Sequence, residues 1–96
     1  MAAYIIVEIE ITDPAGYEDY KKLVPASLVP YGGRFVVRGG ACETLEGSWQ
    51  PQRMVVLEFP SMENARRWWE SDEYRAAKEL RQRTAKSRMI ALEGAN

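Results

Sequence analysis

Histidine is absent from this 96-residue chain. That excludes Ser-His-Asp and Cys-His nucleophile systems, histidine-ligated metal centres and haem held by a proximal histidine. Cysteine is nearly absent too. The lone Cys42 has no partner for an internal disulfide, and nothing in the chain signals export. Long apolar runs are also missing. The opening stretch MAAYIIVEIEI lacks a basic lead and meets Glu8 too early for a signal peptide or membrane span, so a cytoplasmic protein without a membrane partner is expected. Neither sign of charge dominates: 13 Lys and Arg stand against 14 Asp and Glu, a balance that argues against a nucleic-acid partner. No glycine-rich stretch has phosphate-binding form. GGRFVVRGG lacks the strand-to-helix setting and the Lys-Ser/Thr pair of a P-loop, and the element order does not suit a dinucleotide fold. No cofactor and no metal is expected.

What is present reads as one domain over residues 1–96. Tyr4–Ile11 alternates as a strand, with Ile5, Val7, Ile9 and Ile11 on one face and Tyr4, Ile6, Glu8 and Glu10 on the other. Asp13 and Pro14 start a helix as cap and first residue. Tyr17, Tyr20, Val24 and Leu28 form its apolar stripe, Pro25 is expected to kink or interrupt it, and Gly32-Gly33 ends it. Arg34–Arg38 is a second strand that sets Phe35 and Val37 against Arg34, Val36 and Arg38. A loop over Glu43–Pro51 carries Trp49. Arg53–Phe59 is near-continuously apolar, as a central strand covered on both faces would be.

Ser61–Lys86 is the longest helical pattern. Ser61 is a good cap and Glu63 suits the positive end of the helix dipole. Ala65, Trp69, Ala76, Leu80 and Thr84 recur at helical spacing. Ser71-Asp72-Glu73 is itself a helix start, so a break is expected near Glu70–Ser71, with the second helix ending among Arg81, Arg83 and Lys86. Trp68 and Trp69 point about 100° apart, so one is expected deep and the other at a boundary. Arg88–Glu93 closes the chain as a fourth strand.

The order β-α-β-β-α-β gives an α+β ferredoxin-like fold. Its four-stranded antiparallel sheet has the first and third strands central and both helices on one face. The uncovered face then holds aliphatic residues, which need a second cover. A homodimer with its two sheets face to face is the simplest one.

The segments GGRFVVRGG, LEGSWQPQR, LEFPS and WWESDEYRAAKELR, in that order and spacing, resemble the bacterial domain of unknown function 1330 family over essentially the whole chain. The resemblance implies membership of the dimeric α/β-barrel superfamily, ferredoxin-like chains paired through their sheets. It brings no settled reaction, since that superfamily holds cofactor-independent monooxygenases, muconolactone isomerases and haem-handling enzymes.

Two groups of candidate site residues follow. Arg38 and Glu58 lie on paired strands, each sharing a face with aliphatic residues. They read either as an anion holder and a proton carrier in an apolar cavity or as a structural ion pair. Tyr31, Trp69 and Tyr74 read either as aromatic walls of a ligand opening at the helix break or as packing. Cys42 reads as a small apolar filler or a reactive thiol. Three functions remain open: a site between sheet and helices for a small hydrophobic, aromatic or enolisable molecule, cofactor-free monooxygenation or isomerisation in that site, and a structural dimer with no chemistry.

Overall fold

The computed structural model describes residues 1–95. Its elements are β1 (Ala3–Ile11), α1 (Pro14–Leu28), a 3-10 turn (Val29–Tyr31), β2 (Arg34–Arg38), β3 (Arg53–Phe59), α2 (Met62–Trp69), α3 (Asp72–Thr84) and β4 (Ala85–Glu93). The sheet order is β2-β3-β1-β4, and every neighbouring pair is antiparallel. This is the ferredoxin-like plan, with the second helix divided in two where Ser71 restarts it. Both halves are capped alike: Ser61 Oγ accepts from the N–H of Asn64, and Ser71 Oγ from that of Tyr74, each at 3.1 Å.

The alternation of β1 separates two faces. Ile5, Val7 and Ile9 are buried under the helices, against Tyr17, Tyr20, Val24 and Leu28 of α1, Val55, Leu57 and Phe59 of β3, and Trp68 and Tyr74. Each such aliphatic or phenyl side chain contributes about 1.5–3 kcal/mol when fully removed from water. Tyr4, Ile6 and Glu8 face the other way and are only half-buried.

Four local expectations need correction. Pro25 does not interrupt α1, which runs unbroken to Leu28. Proline has no N–H to offer the carbonyl four residues back, and Arg38 fills that role: its Nη2 donates to the Lys21 carbonyl at 2.8 Å. The apolar stripe beyond Ala65 differs at three positions, with Trp68, Ala77 and Arg81 buried in place of Trp69, Ala76 and Leu80, while Thr84 is buried as expected. The buried positions are Trp68, Tyr74, Ala77, Arg81 and Thr84, while Trp69 stays 40% exposed. Spacing of three or four from Ala65 allows either tryptophan, and the break at Glu70–Ser71 resets the phase that follows. The fourth strand starts at Ala85, because the Thr84 carbonyl accepts from the N–H groups of Thr12 (2.8 Å) and Asp13 (2.9 Å). That pins the end of α3 against the end of β1 and leaves no room for a loop. Lastly, β2 carries a bulge: Phe35 pairs with Leu57 and Val37 with Val56, which makes Val36 the extra residue.

Candidate functional site

The bulge decides the fate of the first candidate pair. Beyond it, Arg38 lies opposite Val55 on the helix side of the sheet, where its guanidinium sits 4.1 Å from the Phe35 ring centroid. Glu58 lies on the open face. Arg38 and Glu58 are therefore separated by the sheet. The cation that meets Glu58 is Arg34, its direct cross-strand partner, and Tyr4 Oη donates to Glu58 Oε2 at 3.0 Å. That hydrogen bond and the carboxylate charge raise the Tyr4 phenol above its usual range.

A second charged group shares the open face. Glu8 accepts from Trp49 Nε1 at 2.6 Å and from Arg88 Nε at 2.7 Å. The Trp49 hydrogen bond, then that from Arg88, holds the Glu8 carboxyl below the usual carboxylate range. Register arranges this face in rows: Arg34–Glu58–Tyr4–Leu92, then Val56–Ile6–Ile90, then Met54–Glu8–Arg88. The middle row is wholly aliphatic, and Ile90 is 55% exposed.

The aromatic candidates are also divided. Tyr74 is fully buried, stacked on Trp68 with centroids 3.9 Å apart, and its hydroxyl lies 3.0 Å from that of Tyr20. Burial, then the neighbouring Tyr74, pushes the Tyr20 phenol far above its ordinary range. Tyr31 Oη donates to Glu73 Oε1 at 2.8 Å on the outside of the helical layer. Of the three, only Trp69 lines an opening. Cys42 is exposed, so it fills no apolar gap. Among the described residues no three His, Cys, Asp or Glu side chains stand together as a metal site.

The opening is a cleft of about 440 Å³ between α2, α3 and β4. Ile5, Met62, Trp69 and Met89 give it apolar walls, and Arg66, Arg81, Gln82 and Ser87 supply its polar groups. Ligand cavities commonly span about 300–1,000 Å³ with mainly apolar linings, and this one has that character. A groove of similar size beside Glu8, Gln52, Lys86 and Arg88 is lined mainly by polar side chains at the sheet edge. Two of its lining residues are small, Ala65 from α2 and Ala91 from β4. Lys78 fixes the Trp69 ring from outside, with Nζ 3.9 Å from its centroid and donating to the Trp69 carbonyl at 2.9 Å.

Arg81 went unnoticed in the sequence because it sits in a basic run with Arg75, Arg83 and Lys86 and reads as a cation at a helix C-terminus. The available signal was its spacing: seven residues from Tyr74, four from Ala77 and three before Thr84, the face that α3 buries.

A ferredoxin-like sheet with an apolar cleft under a divided helical layer defines the class. The chain belongs to the family described as domain of unknown function DUF1330, which matches residues 2–95. No curated protein matches it. Among solved structures, a protein of unknown function from Rhodopseudomonas palustris is similar at TM-score 0.78 and 19% identity, over 99% of this chain and 83% of that one. SnoaB, a cofactor-independent oxygenase from Streptomyces nogalater, is similar at TM-score 0.66 and 13% identity, over 99% and 94%. A dimeric protein of unknown function with a ferredoxin-like fold, from Bacteroides fragilis, is similar at TM-score 0.65 and 14% identity, over 97% and 96%. At these identities the likeness is one of fold. Among the described residues, no helix is long and apolar enough to cross a membrane.

Proposed function

We propose that this protein is a cytoplasmic homodimer that binds a small aromatic or enolisable molecule in each subunit, in the cleft between α2, α3 and β4. The cleft carries the reading: its walls are mainly apolar, the exposed Trp69 lines it, and Arg66, Arg81, Gln82 and Ser87 supply a few polar groups. Pairing of the sheets is supported by the aliphatic row Val56–Ile6–Ile90 between two rows whose charges are already matched within the chain. A second copy then covers apolar surface without burying an unpaired charge.

Native mass spectrometry of gently purified protein tests both parts. The expected result is a dimer carrying a small aromatic molecule, and Ile90→Glu, which sets a charge in the middle row, is expected to give a monomer. A wild-type monomer at micromolar concentration overturns the pairing. A dimer that carries nothing and takes up no aromatic probe overturns the ligand-binding part and leaves a structural dimer.

A second reading, cofactor-independent oxygenation or isomerisation, is favoured by one observation. The Tyr20 and Tyr74 hydroxyls connect by hydrogen bonds to the Arg81 guanidinium at the cleft, a route by which charge on a bound enolate can be met. Oxygen uptake with an anthrone, without added flavin or metal, tests it. Uptake no faster than in buffer refutes the oxygenase branch.

A further inference from the structure

The cleft contains a buried cation that no carboxylate neutralises. Arg81 is 4% exposed, and no ion pair among the described residues includes it. Its Nε donates to Tyr74 Oη at 3.3 Å and its Nη1 to Ser87 Oγ, both neutral hydroxyls. Nη2 has no hydrogen-bond partner among the described residues. Nor is it sealed away: the sole buried and unpaired side-chain nitrogen or oxygen there is Arg53 Nε. Nη2 therefore meets the cleft that Arg81 lines. A guanidinium taken from water is costly unless paired, and buried charges in proteins normally have a counter-charge.

The lining as a whole repeats the imbalance. It includes two arginines, Arg66 and Arg81, and no acid, although acids outnumber bases over the chain. We propose that the cleft takes an acidic arene: a small planar ring system whose carboxylate or enolate oxygen pairs with Arg81 while its ring packs against Trp69 and Met89. A guanidinium presents its donors in a plane that suits such oxygens, and the exposed Trp69 indole and half-buried Met89 thioether suit the ring. Tyr74 and Ser87 hold the guanidinium in place, so the charge is positioned before the ligand arrives. The inference rests on the cleft being a ligand site and adds the charge of the ligand.

Calorimetric titration of the full chain with 1-naphthoate and with 1-naphthamide tests it, because the two differ in charge and little in shape. The expected result is that the acid binds at least about tenfold tighter than the amide, as a charge-assisted pair in an apolar site requires. Arg81→Met is expected to remove that preference. Should this variant fail to fold, the wild-type protein still answers: the Arg81 Nε–H resonance is expected to shift on adding the acid and to stay in place with the amide. Equal affinity for acid and amide, or an unmoved Arg81 resonance with the acid bound, overturns the inference and leaves the cleft as a site for neutral arenes. Binding of neither compound overturns the cleft reading and the inference with it.

Discussion

Arg38 supplies the donor that Pro25 lacks, and this predicts a specific non-additivity. In a regular helix the N–H of residue 25 bonds to the carbonyl of residue 21. Here Arg38 Nη2 takes its place at 2.8 Å, while the guanidinium also lies 4.1 Å from the Phe35 centroid. At this exposed position the hydrogen bond contributes about 0.5–1.5 kcal/mol and the ring contact about 0.5–1 kcal/mol. Arg38→Met is therefore expected to cost roughly 1–2 kcal/mol. Pro25→Ala returns an N–H to the helix and stabilises by less than the roughly 3 kcal/mol of an uncompensated proline, because Arg38 already serves the carbonyl. In the Pro25→Ala background, Arg38→Met loses mainly the ring contact, so the two changes couple by about 1 kcal/mol. Urea unfolding of all four forms, followed by tryptophan fluorescence, measures this. One protein concentration is used throughout, since an assembling chain unfolds with a concentration-dependent midpoint. With a slope of about 1–3 kcal/mol per molar urea, the coupling appears as a midpoint difference of roughly 0.5 M. An equal cost of Arg38→Met in both backgrounds refutes the compensation.

Tyr74→Phe leaves the Tyr20 hydroxyl and Arg81 Nε without their shared partner; a loss of about 1–3 kcal/mol is expected in the same urea assay, and an unchanged midpoint contradicts the buried network. Gly39 has φ +70° and its N–H donates to the Met54 carbonyl at 2.9 Å. Gly39→Ala is expected to cost about 1–2 kcal/mol through the left-handed backbone alone, read as a melting point lower by roughly 4–8 °C per kcal/mol. Glu8 has a folded pKa below its ordinary 4.5 through Trp49 and Arg88. Its contribution is thus present above that value and fades as pH falls through the folded value. Glu8→Gln is expected to flatten the drop in melting point below about pH 4.5, and an identical acid slope in wild type and variant rejects this.

What the sequence made legible was whatever depends on short-range period and on punctuation. The period-two pattern of Tyr4–Ile11 sorts both faces of β1 correctly, and the serines at 61 and 71 mark both helix starts. The open aliphatic face followed from the same pattern, because period two is insensitive to what the strand pairs with. Arg34 and Arg38 fared differently. Counted along the strand they share a face, but one extra residue at Val36 turns Arg38 toward the helices, and nothing local in RFVVR announces a bulge. Glu58 does share its face with aliphatic residues, but the arginine beside it is Arg34 and not Arg38.

The same limit hid Arg81, though an opening beside Trp69 at the helix break was legible. A helix phase counted from Trp69 through the break loses one residue, and that one residue exchanges Leu80 for Arg81 on the buried side. Composition reinforces the mistake, since arginine is seldom fully buried unless paired. A chain that buries Arg81 against Tyr74 and Ser87, with no acid among the lining residues of the cleft, departs there from the rule that a buried arginine is paired. Strong local departures of this kind concentrate where a protein meets something other than itself. Two half-buried acids on the open face are answered within the chain: Glu58 by Arg34 and Tyr4, Glu8 by Arg88 and Trp49. Arg81 is buried without such a counter-charge, and an anionic ligand supplies what its surroundings lack.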